Sequence, residues 1–543
     1  MFIKLNVKWP AASWLLSFLI FLPLLAIVWQ SFGHDEDVFA HLWQTVLPDY
    51  VLNTVMVVLG VAFLSMLIGV PMAWFIAMCN FPMRSFFIWA MLLPLAMPSY
   101  VVAFVYTDLL EYAGPVQGAL REFFGWQSAA DYPFFDVRTI GGAIVMLTLV
   151  LYPYVYLLAR TAFLEQSQTL AQSARMLGCS PWQSFKRVSF PLARPAIAVA
   201  VALVAMETLA DFAVVHYFAV PTLTTAVYDT WLGYGSLAAA ARLSALMLAM
   251  LFILISVERF GRSKQRHYQR TTGQEAINRY SLTGAKAFAV TMFCLIIFGL
   301  AFALPFFSLI DMAIDYFDES WNEQFFEYSY NSFMLASIVA VVCVIIGLLL
   351  SYFKRLSQGK YSGVPSKLAS TGYALPGTVL AIGVLIPLSL FDHGLNSLWE
   401  YFEREGPGLI LSGTLFAMIA GYVVRFSAIA IGSIESSLNK VTPSLDMVSM
   451  TLGMSPLKML FKVHLPLVRK GCFAAALLVF IESMKELPAA LLLRPFNYET
   501  LATYVYQFVS DEQLEHGALA AIVIVVVGLV PLIILNRSLE QQH

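Results

Sequence analysis

Apolar runs long enough to cross a bilayer recur from one end of this 543-residue chain to the other. A helix needs about 20 apolar residues to span the hydrocarbon core. About twelve such runs can be placed, at 11–31, 51–78, 86–108, 139–163, 196–219, 236–257, 285–310, 330–353, 367–390, 408–431, 471–493 and 515–535. Backbone polar groups cannot be left open in lipid, so each run is expected to be helical. A barrel strand would alternate over about ten residues, and these runs are continuous instead. Composition agrees. The chain is 59% hydrophobic and 12% charged, with a mean hydropathy of +0.75, where a soluble domain carries about 25% charged residues. The fold class is all-α membrane protein.

The first run follows Lys4 and Lys8 and has no small-residue cleavage site after it, so it reads as an uncleaved helix. Basic and acidic loops alternate along the chain. One set holds Arg84, the 175–194 basics, the 259–279 arginines, Lys354–Lys367 and Lys440–Lys470; the other holds Asp35–Asp37, Asp131, Asp136, Asp315–Glu323, Glu400–Glu405 and Asp511–Glu515. Positive charge stays inside, which predicts a multi-pass membrane protein with both termini cytoplasmic. The five cysteines are scattered without a Cys-x-x-Cys, so neither a disulfide framework nor a zinc site is expected.

Two polar stretches are written to one pattern. Leu170–Ile197 and Leu445–Cys472 align at a constant offset, sharing Leu177/Leu452, Gly178/Gly453, Ser180/Ser455, Pro181/Pro456, Pro191/Pro466 and Arg194/Arg469. Asn53 and Asn331, and Pro98 and Pro376, match in the preceding helices. The chain therefore divides into two pseudo-symmetric six-helix halves, 1–258 and 287–543, joined by a basic linker over 259–286. Within each repeated loop the glycine can take positive φ and stop a helix. The serine suits an N-cap with proline at the first helical position. The product expected is a short helix, a sharp turn and a second short helix ending at the proline. Such a knob fits a groove on a partner outside the bilayer.

These loops resemble the conserved cytoplasmic loop of binding-protein-dependent ABC importer permeases, through Ala174, Gly178, Val188 and Pro191 in the first copy and Gly453, Val463, Leu465 and Pro466 in the second. Gln172 and Met447 stand where that motif has glutamate. The resemblance implies a type I importer permease fold and ATPase-coupling roles for Ala174, Gly178, Ser180, Pro181, Pro191, Gly453, Ser455, Pro456 and Pro466. It implies two copies of a cytoplasmic ABC ATPase subunit and a periplasmic substrate-binding protein as partners. The stretches 206–231 and 482–508 resemble ferric-iron permeases more narrowly. The implied cargo is ferric iron, with thiamine, phosphonate or another small solute as the alternative.

Four acids lie inside apolar runs. Glu207 and Asp211 in span five superimpose on Glu482 and Glu486 in span eleven. At i, i+4 each pair would share a helix face, and the first acid of each would sit near mid-membrane. A charge there costs about 2.5–3.5 kcal/mol. Two readings stand side by side: a cation-friendly translocation path, or structural acids, with Lys485 neutralising Glu482 and the others bonded to backbone at broken helices. Tyr217, Tyr228, Tyr498 and Tyr504 offer hard oxygen donors nearby, although interfacial tyrosines are ordinary. No stable metal site and no cofactor is expected. His216, His393 and His516 read as solvated outer residues.

The chain has no GxxxxGK[ST], HExxH or GxSxG. It is a transport subunit rather than an enzyme, with ATP hydrolysis expected on a separate chain. The basic linker is explained by inner-face charge, so lipid and not nucleic acid is the expected environment. An ion-coupled secondary transporter also has twelve spans with repeats, but gives no reason for a duplicated Gly-x-Ser-Pro loop. A membrane-embedded enzyme would need a catalytic constellation, and none is present.

Overall fold

The computed structural model describes residues 8–33, 38–166, 176–263, 279–357 and 361–540. Ten helices among them are long and apolar enough to cross a membrane. In chain order they are α1 (Lys8–Gln30), α2 (Leu47–Met78), α3 (Ile140–Leu164), α4 (Pro181–Ala210), α5 (Leu237–Ser263), α6 (Gly284–Asp315), α7 (Glu323–Leu356), α8 (Gly377–Tyr401), α9 (Leu415–Asn439) and α10 (Pro456–Lys485). A bent pair, Arg84–Ala96 with Ser99–Phe124, makes an eleventh span if taken as one. A further apolar helix, α11 (Leu514–Glu540), closes the chain. The ten or eleven spans among the described residues, with this shorter apolar helix beside them, lie near the twelve expected. Most of the 259–286 linker, residues 264–278, lies outside the described residues, as does Ala174.

Prolines explain the irregularities. The third expected span bends by 95° between its two pieces, because a residue before proline is pushed out of the helical region; Met97, ahead of Pro98, has ψ 126°. Wide turns occupy Phe185–Ser189, Gly299–Ala303 and Leu460–His464. Each is followed two residues on by Pro191, Pro305 or Pro466. Proline has no N–H to return to the carbonyl four residues back and its ring crowds that carbonyl, so the helix opens by one residue there instead of breaking.

The described chain packs as two compact units that cut across the sequence halves. One comprises Met1–Gln44, Ala226–Leu248 and Asn322–Tyr504; the other comprises Thr45–Thr225, Ala249–Trp321 and Val505–His543. In the first unit α1 lies along α8, and α7, α9 and α10 pack on one another. A Cβ on Gly383 of α8 would fall 2.7 Å from the Pro23 carbonyl and 2.9 Å from Ile27. Arg242, on α5, donates to the carbonyls of Ser31 at 3.0 Å and Gly33 at 2.7 Å, satisfying groups just past the end of α1. In the second unit α2, α3 and α4 pack together and α6 packs on α11. Gly69 of α2 sits against Val155 and Tyr152 of α3, and the Tyr106 hydroxyl donates to the Leu300 carbonyl of α6 at 2.6 Å.

The opening helix of the first half, α1, is thus lodged among helices of the second half, while α6, which opens the second half, packs on α11 and is tied to the first half through Tyr106. A six-helix sequence repeat is not here a six-helix compact body. Close approach of α1 to α8 depends on the missing side chain at 383. Gly383→Leu is expected to destabilise the first unit by about 1–3 kcal/mol through overpacking, read as a lowered Tm of the detergent-solubilised chain.

Candidate functional site

The two repeated loops fold alike from the residues that spell them. Gly178 takes φ +76° and Gly453 φ +71°, backbone that a side chain disfavours. Ser180 Oγ accepts the Gln183 N–H at 3.3 Å, and Gln183 Oε1 accepts the Ser180 N–H at 3.0 Å, forming a capping box. Ser455 Oγ accepts the Lys458 N–H at 3.4 Å. Pro181 and Pro456 open the helices that follow. The second short helix of each loop does not end at Pro191 or Pro466, as the sequence suggested. It runs on through the wide turn into α4 or α10, each 30 residues long. Each turn is thereby joined to an apolar helix as one continuous rod. Leu177 is 83% exposed and Leu452 70% exposed, and Trp182 and Leu457 are exposed beside them. The tips of both loops are thus open and apolar.

A buttress under the second loop escaped the sequence reading. The short helix Pro443–Thr451 carries Asp446, whose carboxylate takes Arg355 Nε at 2.9 Å. The fully buried His464 places Nε2 2.9 Å from the same carboxylate. Arg355 also donates to the carbonyls of Leu438, Val441 and Thr442, which close the end of α9. The Tyr352 hydroxyl donates to the Pro456 carbonyl at 2.8 Å. Tyr352, Leu356, Met459 and Leu460 form an apolar cluster beneath. The available signal was a lone Asp in a basic loop.

The intramembrane acids do not pair on a helix face. Helix α4 ends at Ala210 and α10 at Lys485, one residue before Asp211 and Glu486. Spans five and eleven are therefore broken, and the second acid of each pair caps the short helix after the break. Asp211 Oδ1 accepts the Val214 N–H at 3.0 Å, and its Oδ2 accepts the Ser99 hydroxyl at 2.8 Å. Glu486 Oε1 accepts the Ala489 N–H at 3.1 Å, and Oε2 lies 3.1 Å from Arg425 Nε. Of the first acids, Glu482 is 42% exposed and pairs with Lys485 at 3.2 Å, and Glu207 is half-buried. The Glu482–Lys485 pair and the backbone caps at Asp211 and Glu486 are contacts that the structural reading named.

The caps also differ in a compensated way. Ser99 and Gly377 occupy equivalent places after Pro98 and Pro376. The shorter acid has a serine to reach; the longer one has a glycine, and a Cβ at 377 would lie 2.8 Å from Glu486 Oε1 and 2.9 Å from Arg425 Nη1. Gly377→Ser is expected to lower stability by about 1–3 kcal/mol. Adding Glu486→Asp should recover part of that loss, since it rebuilds the first copy's pair. Thermal unfolding of the two variants against the parent checks this.

Polar ties after the breaks repeat as well. Asn53 donates to the Pro221 carbonyl at 3.0 Å and Asn331 to the Glu499 carbonyl at 3.2 Å. The Leu223 N–H reaches Thr54 Oγ1 at 2.9 Å, and the Leu501 N–H reaches Ser332 Oγ at 2.7 Å. Both asparagines lie inside their helices, since α2 and α7 start at Leu47 and Glu323. The Tyr498 hydroxyl donates to the Asn331 carbonyl at 3.0 Å, and burial pushes that phenol up to about 12, so it is not a phenolate at neutral pH. The three histidines are engaged and not merely solvated: His216 Nδ1 meets the Tyr506 hydroxyl at 2.8 Å, His393 Nδ1 lies 2.7 Å from the Ser389 carbonyl, and His516 Nδ1 lies 3.0 Å from Glu319.

The model of one protein family, "Binding-protein-dependent transport system inner membrane component", matches residues 65–266 and again 357–542. The chain belongs to this family. It matches once in each sequence half, as expected of a fused permease built from an internal repeat. The chain is 26% identical over 491 residues to the Fe(3+)-transport system permease protein FbpB 2 of Haemophilus influenzae, covering 89% of each chain. It is 23% identical over 463 residues to the ferric transport system permease protein FbpB of Actinobacillus pleuropneumoniae, covering 80% of this chain and 64% of that one. The molybdenum transport system permease protein ModB of Escherichia coli K12 is 28% identical over 222 residues, 39% of this chain and 91% of its own length. This permease is thus a multi-pass transport protein of the inner membrane, with the importer function of its family.

Proposed function

We propose that this permease carries ferric iron inward, driven by two copies of a cytoplasmic ABC ATPase docked on its two repeated loops and supplied by a periplasmic binding protein. The observation that carries the coupling role is the duplicated turn. Each copy has a glycine at positive φ, a serine-capped and proline-opened helix, exposed apolar tips, and an unbroken rod into the membrane. Movement imposed on such a tip is transmitted along α4 or α10 to the break at Asp211 or Glu486. Similarity to Fe(3+) permeases along 89% of the chain supports the cargo. The alternation of basic and acidic loops supports cytoplasmic termini and cytoplasmic knobs.

The test is uptake into proteoliposomes holding the permease with its ATPase and binding protein, offered ferric ion, thiamine, phosphonate and molybdate in turn. ATP-dependent accumulation of ferric ion alone is expected. Accumulation of another solute in its place would refute the cargo, and uptake without any ATPase would refute the coupling.

Glu207 and Glu482 remain the candidates for a cation path. Glu207→Gln with Glu482→Gln is expected to lower ferric uptake per purified complex about tenfold, a loss of about 1.4 kcal/mol of transition-state stabilisation, with assembly unchanged. Undiminished uptake in the double variant would return both acids to helix packing.

A further inference from the structure

We propose that Arg84, Arg160 and Arg279 form a binding site for a net-anionic phosphate group, of the kind an acidic phospholipid presents at the membrane boundary. All three belong to the second compact unit. The parallel pairing of Cys79–Asn80 with Tyr280–Ser281 brings Arg279 beside the end of α2. There Arg84 Nε donates to the Ile76 carbonyl at 2.7 Å and Arg279 Nε to the Ala77 carbonyl at 3.2 Å. Each of these two guanidiniums thus directs its Nε–H to the helix end. Arg160, on the last turns of α3, is only 7% exposed, and its Nε is enclosed without a hydrogen-bond partner. Burial first, and the Arg160 charge second, hold Arg279 below the usual guanidinium range.

Among the described residues, no carboxylate pairs with any of the three. The second sequence copy is built differently: the position equivalent to Arg160 is Glu435, which pairs with Lys354. Collected like charges with a buried, unsatisfied donor are costly unless an anion joins them. Guanidinium forks match phosphate oxygens in pairs. The surroundings favour a lipid as the source. Met83, Phe86 and Phe288 are exposed apolar side chains a few residues from the arginines, at the starts of membrane helices. Acyl chains can lie on them while the headgroup enters the cluster, as basic pockets between membrane helices hold anionic lipids.

The test uses the full-length chain in a neutral detergent, with thermal unfolding and native mass spectrometry as readouts. Short-chain phosphatidylglycerol, short-chain phosphatidylcholine and inorganic phosphate are added separately. Phosphatidylglycerol is expected to raise Tm by about 2–4 °C at saturating excess and to remain bound in the spectrum, and phosphatidylcholine to do neither. Arg279→Gln and Arg160→Gln should abolish the shift; should Arg160→Gln not fold, Arg84→Gln takes its place. An equal shift with inorganic phosphate would uphold the site and name a free anion as the source. No shift with either anion, or a full shift in the folded arginine variants, would overturn it. So would a fall in the unliganded Tm of Glu275→Gln together with no anion effect, which would make the linker carboxylate the counter-ion. Loss of the shift only when the ATPase is bound would assign the cluster to a protein partner and equally overturn it.

Discussion

Gly178→Arg and Gly453→Arg are each expected to cut coupled uptake by more than about tenfold while the chain still folds and inserts. The separation follows from geometry. Both glycines have positive φ, yet a Cβ at either would meet nothing within 4 Å. The intramolecular cost is the left-handed backbone alone, about 1–2 kcal/mol. The new side chain instead projects from the turn beside Leu177 or Leu452, into whatever seats the knob. Loss of one central docking residue commonly costs about 2 kcal/mol or more, which exceeds a factor of ten. Uptake should fall together with ATPase binding, at unchanged yield and with Tm lowered by only about 2–8 °C. Normal uptake in both variants would remove the coupling assignment.

Arg355→Leu is expected to have the largest effect on stability, about 3–5 kcal/mol, because removing one member of a buried ion pair strands the other. Arg355 and Asp446 are 13% and 15% exposed, so solvent screens the pair little. The change leaves Asp446 beside a buried histidine and orphans the carbonyls that close α9. Its consequence should be local. The first loop has alanine where the second has Asp446, and so lacks the carboxylate for such a buttress. The ATPase bound per permease is expected to fall by about half. An equal loss at both loops, or no change in Tm, would contradict the role given to Arg355.

Legibility in the sequence followed range. The helices were readable because hydrophobic runs of the right length report directly on the solvent. The turns at Gly178 and Gly453 were readable because a glycine, a serine and a proline in fixed order act over three or four residues. The breaks at Asp211 and Glu486 were weighed only as an alternative, since METLADFAVV looks as helical as its neighbours until Ser99 and the free N–H groups of the next turn are brought to Asp211. The Arg355–Asp446–His464 buttress joins residues about a hundred positions apart, and no local pattern announces it. Partnership of α1 with α8 was hidden for the same reason. A repeat says which segments are equivalent, and not which of them touch.

That exchange of opening helices sets an order of events for making the protein. Ile27 is synthesised about 350 residues before Gly383, the position against which it rests. At ribosomal rates of about 5–20 residues per second, α1 waits roughly 20–70 s for its seat. Through that interval it must be held in the membrane without its native neighbours, and α6 likewise arrives among helices laid down well before it. Neither compact unit can be completed from one half of the message. A ribosome stalled in the linker would leave two incomplete cores, not one finished domain. Fusion of the halves into a single chain guarantees that each opening helix and its distant seat are delivered to the same patch of membrane, in equal number.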